Sequence, residues 1–397
     1  MRVLFCTTGG LGHLLPLRPL ATALHSRGHH VAWVTAPDAL PRLEGEGFDL
    51  FAAGPTFEAS RRQFHAAHAD AARLAGEALS AYTFPRLFGA VLGPAMLEGV
   101  EQAARGWRPD FVVHDPAALA VPLVCQQLGL RHVVHGYGLR PPHEYIEDAM
   151  SFFGPLWRAR GLEPPADGGL YRHLYLDIAP SCLQPSTGSV DGGVFRFNAY
   201  RPADTVPPAL PAELHAALLG PTARRPKVYV TFGTVFNRSP ALVAATRAAA
   251  QLGGTVVVTI GADGDLQRFA DLGPGVHVHR FVEQAALLPH CDVVVSHGGA
   301  GTLLGAAAHG VRHLVLPQAA DHFRNARALE SVNAGCAIDP ERQTVDAVAS
   351  SLSAMLEDPA LHAGARSLAE DMARLPDAAA AAAKLESWQS HDQYGAE

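Results

Sequence analysis

The sequence predicts an α/β protein built as two halves, each a parallel, doubly wound sheet. Three observations carry this. Short apolar strands alternate with helical stretches from Val3 to His135, and the same alternation begins again at Lys227 and runs to Pro317. Strands separated by helices form parallel sheets, because each crossover returns the chain to the same end of the sheet. Between the two runs lies a stretch of weak periodicity punctuated by Pro202, Pro207, Pro208, Pro211, Pro221 and Pro226, a composition that suits a linker. Length agrees, since 397 residues exceed what one core ordinarily organises.

In chain order, Val3–Thr7 reads as a buried strand and Pro16–Ser26 as an amphipathic helix closed at Arg27-Gly28. Val31–Thr35 is the next strand, and Pro37-Asp38 opens a turn. Phe111–His114 is a later strand, followed by a helix over Ala117–Leu128 that Gly129 closes, then by the strand Arg131–His135. From Pro141 to Gly193 the rhythm is lost: the segment is aromatic and proline-rich, with Tyr145, Phe152, Phe153, Trp157, Pro164 and Pro165. The second half supplies strands at Lys227–Thr231, Val256–Ile260, Val276–Val278, Val293–Ser296 and His313–Pro317. The alanine run Ala378–Ala383 starts a C-terminal helix. The expected division is therefore a domain over 1–203, a linker over 204–226, a second domain over 227–376, and a helical segment over 377–397 that is free to pack back on the first domain.

Composition excludes several classes. Hydrophobic residues make up 48% and charged residues 17%, as in soluble globular proteins. The formal charge of −7 and the lack of a basic stripe argue against nucleic acid and anionic membranes as partners. No apolar run is long enough to span a bilayer, and Met1–Phe5 begins a strand rather than a secretion signal, so a cytoplasmic location is expected. The five cysteines are scattered without a CxxC pair, and Cys6 and Cys291 lie in apolar runs as buried thiols.

The chemistry concentrates at strand ends. An apolar strand ends at Ser296 and runs into His297-Gly298-Gly299-Ala300-Gly301-Thr302, after which a helix-forming run begins at Leu303. Glycines let the backbone approach a ligand closely, and a helix start aims free amides and a positive dipole end at it, which makes an anion site suited to phosphate. At the first strand end, Thr8-Gly9-Gly10-Leu11-Gly12-His13 meets the first helix. Ligands bind beyond the carboxyl ends of strands in such sheets, so His13 is placed to accept a proton. Asp115, after the strand Phe111–His114, is the carboxylate best placed to orient it, or else caps the helix that follows. A dinucleotide site is the competing reading: Gly10-x-Gly12 starts the fingerprint and Asp38 stands where a ribose-binding acid would, but Leu15 occupies the third glycine position and would crowd helix against sheet. His65-x-x-His68-x-Asp70 has ligand-like spacing but no third partner, so it reads as a solvated helix face and no metal site is expected. His29-His30 reads as a surface turn.

These motifs together resemble the GT-B glycosyltransferases that modify natural products, especially actinobacterial antibiotic glycosyltransferases of the calicheamicin and macrolide type. Gly9 to Pro16 is similar to the family's GxxGHxxP element, and Thr231-Phe232-Gly233-Thr234 to its interdomain phosphate loop. Arg280 to Pro289 resembles the base-binding segment, Ser296 to Thr302 the pyrophosphate loop, and Val315 to Ala326 the donor-sugar segment. The resemblance implies two Rossmann-like domains facing a cleft. It makes His13 the general base and Asp115 its orienting carboxylate. Donor contacts are implied for Gly12, Gly233, Thr234, Phe281, Val282, Gln284, His297, Gly299, Ala300, Gly301, Thr302, Asp321 and His322. The chain departs from the family where Phe281 replaces a frequent tryptophan, Glu283 a proline and His322 a glutamine. It also has Gly305 where UDP-using members often carry a ribose-binding glutamate.

The implied activity is inverting, metal-independent transfer of a deoxy sugar to a hydroxyl of a hydrophobic natural product in antibiotic biosynthesis. The donor is a dTDP-sugar, with a UDP-sugar as the other option, and there is no further cofactor. Aromatic residues of the N-terminal half would hold the acceptor: Phe57, Phe64, Tyr82, Phe84, Tyr137, Tyr145, Phe152 and Phe153, with Phe88 and Trp157 beside them, although about half of such residues ordinarily belong to a core. The other readings are a nucleotide-sugar epimerase or hydrolase on the same architecture, and a non-catalytic auxiliary partner of a transferase. A monomer or a homodimer is expected, without stable membrane insertion.

Overall fold

The computed structural model describes residues 1–185, 190–201 and 209–391. The chain divides into two compact units. The first holds residues up to Pro180, Gln184–Ala199 and the segment from Leu375 on; the second holds Ser181–Leu183 and Tyr200–Arg374. Among the described residues no helix is long and apolar enough to cross a membrane.

The first unit is built on one sheet of seven strands: β1 (Arg2–Cys6), β2 (His30–Thr35), β3 (Asp49–Ala52), β4 (Phe111–His114), β5 (Arg131–His135), β6 (Leu174–Asp177) and β7 (Val194–Arg196). Their order is β3-β2-β1-β4-β5-β6-β7, and every pairing is parallel. Helices cover both faces, so the central strands are largely apolar, and Val3, Leu4, Phe5 and Cys6 are all fully buried. The second unit repeats the plan with β8 (Lys227–Thr231), β9 (Thr255–Thr259), β10 (Val276–His279), β11 (Val293–Ser296), β12 (Arg312–Val315) and β13 (Gly335–Ala337), in the parallel order β10-β9-β8-β11-β12-β13. Both sheets thus have the doubly wound arrangement expected. In each, the strand order reverses beside the unit's first strand, between β1 and β4 and between β8 and β11. That reversal opens a crevice at the carboxyl ends of the two strands.

The structure corrects the reading of 141–193 as irregular. His143–Arg158 is a helix, with Pro155 in its last turn, and β6 and β7 extend the sheet. The stretch before it is also helical. Phe57–Ala67 starts on the side chain of Thr56, which accepts from Ala59 N–H at 3.1 Å. Gly76–Phe84, a wider π-helical segment Pro85–Leu92, and Gly93–Trp107 follow one another. The π-helical segment lies tight on His143–Arg158, since a Cβ on Gly89 would come within 2.5 Å of the Ala149 carbonyl oxygen. Prolines at helix starts, where no backbone donor is lost, disguised these elements in the sequence.

The linker expected over 204–226 is also corrected. Residues 204–208 lie outside the described residues, as do Pro202, Pro207 and Pro208 named with it. Ala212–Leu219 is a helix of the second unit, and Leu214 and Leu218, four apart, are fully buried with Tyr229 and Val257. The C-terminal helix Ala378–His391 belongs to the first unit, where Glu386 accepts two hydrogen bonds from Arg27, at 2.9 and 2.6 Å, and lies 2.7 Å from His29 Nε2. His29 is therefore pinned rather than a free surface turn, and His30 opens β2.

Candidate active site

In the first unit the site forms where β1 and β4 run side by side, with Cys6 opposite His114. One residue past β4, Asp115 is fully buried. Its Oδ2 accepts from Thr8 N–H at 3.1 Å, and its Oδ1 accepts from Ala117 N–H at 2.7 Å and lies 3.2 Å from His13 Nδ1. The capping reading of Asp115 is corrected: its bond to Ala117 N–H holds the turn before the helix, which starts only at Ala120 with Leu119 at its N-cap and no side-chain cap. His13 sits on the short helix Leu11–Leu14, with its side chain 14% exposed. With Nδ1–H donated to Asp115, Nε2 is the nitrogen left with an accepting lone pair. Gly9 is required here by packing, because a Cβ on it would lie 2.4 Å from the Ala36 Cβ. A Cβ on Gly12 would meet nothing within 4 Å, so the space above it is open. Asp38, weighed as a ribose ligand, accepts from Phe57 N–H at 3.3 Å instead.

The aromatic candidates separate into three groups. Next to His13 stand Tyr137, with ring centroids 4.3 Å apart, and Phe88 at 5.4 Å. Phe84 packs on Phe88 at 4.8 Å, and Tyr145 on Phe84 at 5.7 Å. Phe57 covers the Gly9-Gly10 turn, its Cε2 3.6 Å from where a Cβ of Gly10 would be. A second group clasps Arg86, whose guanidinium lies 3.8 Å from the Tyr82 ring centroid and 5.4 Å from that of Phe152. The third group corrects the sequence reading. Phe64 is 2% exposed and Phe153 not at all, and both belong to the core with Trp157. Phe153 packs where a Cβ on Gly93 would be 2.9 Å from its ring, so an incoming molecule meets other side chains first. Burying such a ring contributes about 1.5–3 kcal/mol to stability. Apart from Tyr137, which lies in the bend after β5, these aromatics lie on helices rather than on the irregular segments the sequence suggested.

In the second unit the corresponding crevice lies between β8 and β11, with Thr231 opposite Ser296. The helix Ala300–Ala308 begins at Gly299, and no side chain caps it, so the amides of Ala300, Gly301 and Thr302 face outward without a protein cap. His297 is 9% exposed and lies between two glycines: a Cβ on Gly233 would be 3.0 Å from its Cε1, and one on Gly299 would be 2.6 Å from its Nε2. Burial, and after it the neighbouring His322, hold this imidazole well below the usual histidine range, against the opposing pull of Asp321. It is therefore neutral at physiological pH, and its Nδ1 makes no hydrogen bond. An uncapped helix start beside a buried, unpartnered ring nitrogen is chemically suited to a diphosphate.

Of the remaining donor candidates, Gln284 and His322 touch this point directly. Phe281 is 72% exposed, an unusual position for a large ring and one suited to stacking on a base. Val282 is corrected: its side chain is 4% exposed, in the core with Leu287 and Leu288, so only its main chain could meet a ligand. Gln284 Nε2 donates to Thr302 Oγ1 at 3.2 Å and to Tyr229 Oη at 3.3 Å, which turns its carbonyl oxygen towards Gly305. A Cβ on Gly305 would be 3.7 Å from that oxygen and 3.1 Å from Leu288 Cδ1. Thr234 is exposed and Gly233 has φ of +63°, the left-handed region that glycine favours.

His322 differs from expectation. It is 3% exposed, and its Nδ1 accepts from the Gln318 and Ala319 amides at 3.2 and 3.1 Å, so most of its polar capacity holds the turn before its own helix. Burial lowers its pKa to about 3. Its ring meets that of His297 edge-on, centroids 4.5 Å apart. Sequence reasoning missed the supporting His313, 2.7 Å from Ser296 Oγ, and Tyr229, bonded to Gln284, which looked like ordinary strand residues. Among the described residues no group of three or more His, Cys, Asp and Glu side chains is gathered to hold a metal ion. His68 Nδ1 lies 3.4 Å from the Tyr82 hydroxyl.

Residues 244–388 match the family model described as the C-terminal domain of erythromycin biosynthesis protein CIII-like proteins. The chain is 32% identical over 392 residues to elloramycin glycosyltransferase of Streptomyces olivaceus, with 97% of each chain covered. It is 30% identical over 403 residues to L-demethylnoviosyl transferase of Streptomyces niveus, again with 97% of each covered. Among solved structures it resembles spinosyn rhamnosyltransferase, with a TM-score of 0.78 at 27% identity over 97% of this chain and all of that one. The same enzyme complexed with thymidine diphosphate gives a TM-score of 0.76 at 25% identity, with 97% of this chain and 100% of that one covered.

Proposed function

Because the chain belongs to the glycosyltransferases of antibiotic biosynthesis, we propose that it moves a deoxy sugar from a dTDP-sugar to a hydroxyl of a hydrophobic natural product, with inversion at the anomeric carbon. The observation that carries the reading is the His13–Asp115 pair at 3.2 Å, held at a strand-end crevice with Nε2 left to accept a proton. In the proposed step the acceptor oxygen forms a bond to the anomeric carbon while its proton passes to His13 Nε2. The bond from that carbon to the diphosphate oxygen breaks, and dTDP leaves. Asp115 stabilises the imidazolium as it forms. Negative charge that grows on the departing diphosphate meets the amides of Ala300, Gly301 and Thr302 and the His297 ring, donors already in place before the reaction. Those donors do the work that a divalent cation does elsewhere, so activity is expected to persist in excess EDTA.

The acceptor belongs with Tyr137, Phe88, Phe84 and Tyr145, the aromatic group that reaches His13. Relatives named for elloramycin and demethylnoviose, and a structural neighbour with thymidine diphosphate bound, support an antibiotic pathway and a thymidine donor. Gly305 adds a physical reason. It leaves a ribose 2′-hydroxyl without a side-chain partner from this helix, and an unmet hydrogen bond at a mostly buried hydroxyl costs about 1–3 kcal/mol. Calorimetric titration with dTDP and UDP tests this. Binding of dTDP about tenfold tighter is expected; equal affinity for the two would contradict the donor assignment.

A further inference from the structure

Asn325 lies in the helix His322–Ser331 and is fully buried. Its Nδ2 donates to the Gly298 carbonyl oxygen at 2.8 Å and to Asp321 Oδ2 at 2.7 Å. The first acceptor belongs to the glycine turn that starts Ala300–Ala308. The second is the carboxylate assigned to the donor sugar. Two acceptors on one side fix the amide's orientation, because the flipped form would set oxygen against oxygen twice. Helix register supplies the placement, with Asn325 N–H bonded to the Asp321 carbonyl at 2.9 Å. The same glycine is held on its other side, where Gly298 N–H donates to Ser296 Oγ at 2.9 Å, itself 2.7 Å from His313 Nε2. Gly298 has φ of +91°, and a Cβ on it would lie 2.7 Å from Val315 Cγ1, so the turn has little freedom to compensate elsewhere. Asn325 Oδ1 is buried without a hydrogen-bond partner. A residue kept only to fill space would avoid that penalty, so the value of this side chain lies in its two donated bonds.

We propose that Asn325 is a positioning residue that couples the two parts of donor recognition: it ties the diphosphate-binding turn at Gly298 to the sugar-binding carboxylate of Asp321. The inference rests on the reading of Asp321 as a sugar contact. Held by Asn325, one carboxylate oxygen is occupied and Oδ1 is presented to a sugar hydroxyl. Without it, the carboxylate rotates and the turn loses its grip on the Gly298 carbonyl.

The test is calorimetric titration with dTDP and with dTDP-glucose of the wild-type protein, Asn325→Ala, Asp321→Ala and the double variant. Asn325→Ala is expected to weaken dTDP-glucose roughly tenfold more than dTDP. In the Asp321→Ala background it is expected to shift both ligands alike, because the carboxylate it holds is gone. Equal weakening of both ligands by Asn325→Ala alone would overturn the coupling and leave a purely structural role. So would a difference that persists without Asp321. Failure of the sugar-contact reading shows separately, as Asp321→Ala leaving the ratio between the two ligands unchanged. Asn325→Ser, which keeps one donor, replaces the alanine variant if that one does not fold, with the same outcomes in the same direction. A wild-type protein that prefers uridine nucleotides would refute the donor assignment alone, and the ratio is then read with UDP and UDP-glucose.

Discussion

Asp115 accepts three hydrogen bonds, from Thr8 N–H, Ala117 N–H and His13, and so has no oxygen to spare. Asp115→Asn must therefore set an amide nitrogen against at least one donor. We expect turnover to fall by about 10²–10⁴-fold through loss of the oriented base. Stability should fall too, by about 1–3 kcal/mol, because a buried backbone donor is left unmet. Steady-state kinetics with a thermal melt checks both. Unchanged melting would contradict the geometry, and unchanged turnover the role. At this scale His13, Asp115 and His297 were legible because each follows a strand end, and topology alone puts such residues in a crevice. The inward-facing Phe64, Phe153 and Val282 were not, since which way a ring or a valine turns depends on neighbours far along the chain. Asn325 stands within the donor-sugar segment, but its two bonds were hidden, because an asparagine inside a helix looks the same whether it is idle or gripping two acceptors.

Central strands announced themselves as short β-branched runs buried on both faces, and β8 and β11 have the very ends that the pattern indicates. The missed strands β3, β6, β7 and β13 hold a single β-branched residue, Val194, among them, and so lack the valine run that marked equally short strands such as β4 and β11. The helix Ala378–His391 was legible in its alanines, but not the contacts that hold it. Two kinds of contact compete there. Glu386 pairs with Arg27 and His29 at the surface, whereas Trp388 lies under Arg131, 3.7 Å from guanidinium to ring centroid, and edge-on to Phe111 at 5.5 Å. Exposed ion pairs are screened by water, while ring burial and a cation–π contact, worth about 0.5–2 kcal/mol, are not. Trp388→Ala should therefore raise amide hydrogen exchange over Ala378–His391 well above wild type, and Glu386→Ala only slightly. The reverse ranking would show that the ion pairs hold the helix.

Across the whole molecule, acid sensitivity follows from buried neutral histidines. Burial lowers His114 and His135 to about 4 and His313 and His322 to about 3, and it holds His132 and His297 well below the usual range. Above about pH 6.5 all six are neutral whether the chain is folded or not, so they add no pH dependence. As pH falls below that value the unfolded chain takes up protons that the folded chain refuses, and stability drops until the folded values are passed. Asp177, raised by burial, acts in the opposite sense, one group against these six and the likewise lowered His279, His290 and His309. The urea midpoint should fall steeply between pH 6.5 and 4, in steps shared by both units; a flat midpoint over that range would contradict the burial of these rings. The central claim assigns proton transfer to His13 in the first unit and donor binding to the helix start of the second. It is tested most directly by measuring turnover and dTDP affinity together in His13→Ala. The account expects turnover to fall by about 10²–10⁴-fold or more, with dTDP affinity within about twofold of wild type. Retained turnover, or a parallel loss of nucleotide binding, would contradict it.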